Sequence, residues 1–231
     1  MSSAILSIVI GMQLKITAHH LLQLTVGALL HDAGMLSVPA AIMEKQGKLS
    51  AEELTEIRKH PLHSYRVIDK VLRYPQEVAE VALHHHERWD GKGYPRHLRG
   101  EDIALNARIV AVAESYAAMV KERPYRSSMI GYNAMKSILS DNGRQFDPRI
   151  LKAFLSSTGV FPIGSIVQLN NAAIGRIVAL NGDAPLRPRV ELLVDESGKS
   201  LEDPIAVDLL ERKNLFIVKA IDPRSLDGLA P

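Results

Sequence analysis

The chain has 231 residues, 28 Lys and Arg against 26 Asp and Glu, and a mean hydropathy of zero, which excludes a disordered polar chain and leaves length for one large domain or two unequal ones. A formal charge of +2 removes the clustered surplus that binding to polymeric nucleic acid or an anionic membrane surface requires. With no cysteine there are no disulfides, thiolate nucleophiles, Cys-type zinc sites or iron–sulfur clusters, so any metal must be held by carboxylates and the nine His.

The first element is an apolar run from Ala4 to Met12 that stops at Gln13 and Lys15. It falls far short of the ~20 residues of a membrane span, carries no signal-peptide pattern and reads as a buried helix. A cytoplasmic chain with no membrane insertion is expected, and so apolar a helix starting at Met1 predicts that the sequence begins inside a domain. Apolar residues then recur at helical spacing: Leu6, Ile10, Leu14; Leu22, Val26, Leu29, Leu30; Val67, Ile68, Val71, Leu72; Ile109, Val112, Ala113, Tyr116. Ser50 with Glu53 has the form of a capping box opening a helix to His60, and Pro61, Pro75 and Pro148 stand where first-turn prolines are tolerated. From Trp89 to Leu105 the chain is irregular, with Gly91, Gly93, Gly100 and Pro95, and loops of that length usually serve a site.

After Gly159 the period changes. Short runs rich in Val, Ile and Leu (165–169, 175–180, 190–194, 205–209, 215–219) are separated by the turn signals Asn170-Asn171, Asn181-Gly182 and Ser197-Gly198. The expected architecture is an all-α helical bundle over residues 1–157, a small β-sheet or barrel-like unit over 158–222, and a tail over 223–231. The β unit carries no His and no evident chemistry.

Chemistry-bearing residues gather at three points. His31-Asp32 ends one apolar helix, His60-Pro61 lies between two others, and His84-His85-His86-Glu87 ends a fourth before the glycine-rich loop. Imidazole and carboxylate are ligands for borderline and hard divalent metals, and a His-Asp pair at a helix end can aim both groups at one ion or let the carboxylate bridge two. A single His is more often a satisfied core or surface residue; three such corners together favour a metal site. Composition and spacing stop at a metal-dependent hydrolase or a metal-binding helical domain.

His31-Asp32-Ala33-Gly34, His60-Pro61, the run His85 to Pro95 (HHERWDGKGYP), Arg108 to Glu114 (RIVAVAE) and Arg123-Pro124-Tyr125-Arg126 together resemble the HD-GYP family, cyclic di-GMP phosphodiesterases of the HD hydrolase superfamily. The likeness covers roughly residues 15–155, and the trailing β unit is similar to an appendage found after the domain in some bacterial members. The resemblance implies two divalent metal ions, iron or manganese. His31, Asp32 and Glu114 would hold one and His60, His85 and His86 the other, with Asp32 bridging and His84 an extra neighbour. It also implies hydrolysis of cyclic di-GMP to pGpG, GMP or both by metal-activated hydroxide, with His31 and Asp32 as catalytic residues. Gly93, Tyr94 and Pro95 would shape the substrate pocket and Arg123 and Arg126 would clamp phosphates. A signalling protein or a second copy of the chain is the further partner to expect.

The sequence departs from the family pattern at several points. No His or acidic residue precedes His19, and His19 and His20, at the expected start of a helix, are poor substitutes for an upstream ligand. Met35 stands where the family has Lys, Ala117 and Glu114 where it has Asp, and Ser64 where it has Gly. These changes raise two alternatives: a catalytically impaired domain that senses cyclic di-GMP or binds a protein, and a hydrolase of another phosphoester.

Overall fold

Helix α1 (Ser3–Gln13) buries Leu6 and Ile10, as their spacing predicts. The computed structural model describes residues 3–120, 131–140 and 144–222. Thr17 caps α2 (Ala18–Leu30), its hydroxyl accepting the His20 N–H at 3.4 Å. The buried face of α2 is Gln23, Leu24, Gly27 and Ala28, which corrects the expected stripe: Leu22 is 63% and Leu29 67% exposed. Close approach decides the face. Gly27 has no room for a Cβ, which would lie 2.6 Å from Val81 Cγ2 of the helix packed against α2, so small residues set this contact rather than the largest side chains.

After a 3₁₀ turn (Ala33–Ser37) and the short α3 (Ala40–Met43), the expected capping box opens α4 (Ala51–Ile57): Glu53 N–H donates to Ser50 Oγ and Ser50 N–H to Glu53 Oε2. The helix was expected to reach His60, but it ends at Arg58 and α5 begins anew (His60–Arg66). Pro61 has no N–H for the Ile57 carbonyl, and the His60 ring takes that carbonyl instead, Nδ1–H donating at 2.7 Å. A π-helical turn (Val67–Val71) follows and inserts an extra residue per turn, so the helical period slips. Ile68 is fully buried while Val71 and Leu72, expected on the same face, are exposed.

Helix α6 (Gln76–His84) starts after Pro75, and α7 (Leu105–Val120) buries Ile109, Val110, Val112, Ala113 and Tyr116. Each fully buried Ile or Val contributes roughly 1.5–3 kcal/mol, so α7 is anchored along its length. Helices α8 (Gly131–Ser140) and α9 (Pro148–Thr158) precede the strands.

Five strands form where the alternation predicts them: β1 (Ile166–Leu169), β2 (Ile174–Ala179), β3 (Arg189–Val194), β4 (Ser200–Asp208) and β5 (Ile217–Ile221). They pair antiparallel in the order β4-β3-β2-β1-β5, with Val167 opposite Gly175 and Ile177 opposite Val190. Phe161, Val167, Leu169, Ile177, Val190 and Leu209 form their core. Two compact units result. Among the described residues, 3–117 with 144–151 form the helical one, and 118–120, 131–140 and 152–222 the other, so α8 and most of α9 go with the sheet. Tyr132 of α8 stacks on Phe161 at 4.8 Å. Among the described residues no helix is long and apolar enough to cross a membrane.

Candidate metal centre

Three helix ends of the helical unit use one local device. His31 at the end of α2, His60 at the start of α5 and His85 at the end of α6 each direct Nδ1 at the carbonyl three residues back, Ala28 at 2.8 Å, Ile57 at 2.7 Å and Ala82 at 2.7 Å. A carbonyl only accepts, so each Nδ1 carries a proton and each ring turns its Nε2 the other way. The three Nε2 atoms meet. His60 Nε2 and His85 Nε2 are 3.3 Å apart, and the Asp32 carboxylate lies 3.4 Å from His31, 3.3 Å from His60 and 3.7 Å from His85.

These residues fit a divalent cation. Two overlapping donor sets, His60-His85-His86 and His31-Asp32-His85, have ligand atoms within 4.8 Å of one another. Lone pairs and a carboxylate packed so closely repel unless a positive charge lies between them. The electrostatics agree. Burial pushes His85 well below the usual imidazole range and His86 down to about 4, so both rings are neutral and able to ligate at neutral pH. For Asp32, burial pulls upward, but the His60 hydrogen bond and the charges of His31 and His85 outweigh it and hold the carboxyl at about 2. His60 moves the other way: burial lowers it, while the Asp32 hydrogen bond, the Ile57 carbonyl and the charges of Asp32 and Glu114 raise it. Positive charge is thus favoured where the donors converge.

Glu114, on α7, brings a carboxylate oxygen to 4.0 Å from His31 Nε2. His84 turns away: Nδ1 accepts the Ala104 N–H at 3.5 Å, and burial lowers its pKa. His19 and His20 lie at the first turn of α2, roughly 17–18 Å along the helix axis from His31, with His20 Nδ1 2.8 Å from the Thr17 hydroxyl. Arg123 and Arg126 lie outside the described residues.

The glycine-rich loop covers the centre. Tyr94 stacks on His86 at 4.8 Å and 25°, and the Tyr94–Pro95 peptide is cis. Gly93 is obligatory here, since a Cβ would lie 2.3 Å from Arg88 N and 2.4 Å from Glu87 Cα. Burial and the charges of Glu114 and Asp32 push the Tyr94 hydroxyl upward, so it stays protonated.

Several residues that hold this geometry carry no role in the sequence reading. Glu87 is 4% exposed and accepts the N–H groups of Arg96 (2.6 Å) and Leu98 (3.1 Å), pinning the far side of the loop. Arg88 binds Asp90 and Gln145, and the buried Arg108–Asp147 pair lies beside Trp89. Ser64 is fully buried and accepts the Gly34 N–H at 2.7 Å, tying the His31-Asp32 corner to α5. That contact is tight enough that a Cβ on Gly34 would lie 2.2 Å from the His60 carbonyl. Only the adjacency of Glu87 to the His pair was a sequence signal for any of these.

Comparison with known proteins finds relatives of this chain. A family model described as "HD domain" matches residues 2–150, and one described as "KOW domain associated with HD domain" matches residues 166–229. A cyclic di-GMP phosphodiesterase of Pseudomonas aeruginosa is 34% identical over 204 residues, 88% of this chain and 49% of its own length. The cyclic di-GMP phosphodiesterase PdeB of Borreliella burgdorferi is 28% identical over 228 residues, 98% of this chain and 60% of its own. Among solved structures, an HDG"Y"P protein from Bdellovibrio bacteriovorus superposes with a TM-score of 0.55 at 25% identity, over 66% of this chain and 49% of that one. The chain spans about half the length of the curated relatives it matches.

Proposed function

The chain belongs to the HD domain family and carries the motifs of its HD-GYP group, and from that premise we propose that it is a metal-dependent phosphodiesterase hydrolysing cyclic di-GMP to pGpG, GMP or both. The observation that carries the reading is the meeting of three Nε2 lone pairs with the Asp32 carboxylate beneath the Tyr94 loop. The expected cofactor is a pair of iron or manganese ions, which when bound supply a nucleophilic water at neutral pH and neutralise charge on the phosphodiester.

In this reading His31, Asp32 and Glu114 hold one ion and His60, His85 and His86 the other. Asp32 would be available to either set, since Oδ2 faces His31 and Oδ1 faces His60 and His85. The Nδ1–carbonyl bonds keep the rings aimed, so little reorganisation is needed as charge develops. Gly93, Tyr94 and Pro95 would form the wall against which the substrate lies; the phosphate contacts that the resemblance implies for Arg123 and Arg126 fall on residues outside the described ones. Relatives named as cyclic di-GMP phosphodiesterases support the substrate. The non-hydrolysing sensor is the weaker reading, because the curated relatives are named as phosphodiesterases and the donor groups of His60, His85, His86, His31 and Asp32 still converge.

The test is chromatography of cyclic di-GMP incubated with the protein and Mn(II) or Fe(II). Linear pGpG or GMP should accumulate, and both chelation and Asp32→Ala should abolish it. Unchanged substrate over metal-loaded wild-type protein would remove the proposal.

A further inference from the structure

Helix α4 ends at Arg58, two residues before His60, and the Arg58 guanidinium carbon stands 5.4 Å from the centroid of the Tyr94 ring. That ring also stacks on His86 of the donor cluster, so Tyr94 contacts both the guanidinium and the imidazole. Arg58 is exposed, and among the described residues it makes no ion pair. The adjacent cation, Lys59, is taken by Glu56 at 2.5 Å, and Lys45 is taken by Glu53. A guanidinium is attracted to an aromatic face even at an exposed site. That is enough to favour one direction for the side chain, and it leaves the planar fork of N–H donors open. The neighbouring turn offers no cation, since it carries Met35.

We infer that Arg58 is a substrate-binding residue whose guanidinium receives the second phosphodiester of the cyclic dinucleotide, the one that is not cleaved. The inference rests on the function proposed above. The reacting phosphate must lie where the Nε2 atoms and Asp32 converge, and Arg58 is linked to that cluster through the Tyr94 ring, with no ion pair to Asp32 or Glu114. A cation at that remove is badly placed for the same phosphate and suited to a second one on the same ring-shaped ligand. The fork matches phosphate oxygens in a bidentate way that a lysine does not.

Steady-state kinetics of wild type, Arg58→Ala and Arg58→Lys test this on two substrates: cyclic di-GMP, with two phosphodiesters, and bis(p-nitrophenyl) phosphate, with one. For Arg58→Ala, KM for cyclic di-GMP should rise about 10- to 100-fold, with kcat changing far less. Its preference for cyclic di-GMP over the small diester should fall at least tenfold. Arg58→Lys should lie between the two, and the increase of KM with salt should be shallower in Arg58→Ala, because one phosphate contact is gone. Metal bound per chain should equal that of wild type. If wild type cleaves cyclic di-GMP and Arg58→Ala matches it in KM and preference, this inference fails and the proposed function stands. If Arg58→Ala instead loses metal, Arg58 supports His86 through the ring and the inference also fails. If wild type leaves cyclic di-GMP intact, both fail.

Discussion

Each candidate ligand histidine has work for both ring nitrogens, and the backbone decides which nitrogen does which. Because His31, His60 and His85 give Nδ1–H to carbonyls at helix ends, their Nε2 atoms are committed to the centre before any ligand arrives. The residues themselves were legible, since His-Asp and His-His pairs are conspicuous in a chain with nine His. Their carbonyl partners were not, because they depend on where each helix stops. Glu87 is a similar case: its place beside the His pair is visible, yet its work is done on Arg96 and Leu98 across a loop whose path is not. Hydrogen bonds to a buried charged group contribute about 1.5–3 kcal/mol each, so Glu87→Gln should lower unfolding stability by about 2 kcal/mol and Glu87→Ala by more. Denaturant titration measures this, and a change under 0.5 kcal/mol for both would show that the loop holds its path without the carboxylate.

Among the elements, α2 shows where periodicity misleads. Of the stripe Leu22, Val26, Leu29 and Leu30, Val26 and Leu30 pack partly buried against Ile68, Val78, Ala79 and Ala82, but Leu22 and Leu29 are exposed and the fully buried face is Gln23, Leu24, Gly27 and Ala28, because only small residues let α2 approach Val81 so closely. Side-chain size alone cannot rank two faces that are both apolar. The consequence is measurable: Leu24→Ala, at a fully buried position, should cost about 2–5 kcal/mol, whereas Leu29→Lys should stay within about 0.5 kcal/mol of wild type. The reverse order would mean that the expected face is the buried one. The break between α4 and α5 is a second instance. Pro61 was visible as a first-turn proline, but the end of α4 at Arg58 follows from a carbonyl that Pro61 cannot serve and the His60 ring can. That break is also what aims His60.

Across the whole molecule, the change of pattern after Gly159 announced the strands, and all five formed near their expected positions because alternation and turn residues are local signals. That α8 joins the sheet's unit was not legible, since it rests on contacts such as Tyr132 on Phe161 between segments far apart in sequence. The helical unit in turn gathers candidate ligands from residues 31 to 114, and the account depends on those residues seating divalent cations together. The most direct measurement is anomalous diffraction at the manganese edge from crystals of the protein soaked in Mn(II). Strong peaks within bonding distance of Asp32 are predicted, one shared with His31 and one with His60, His85 and His86. A map with no peak among those side chains would contradict the account.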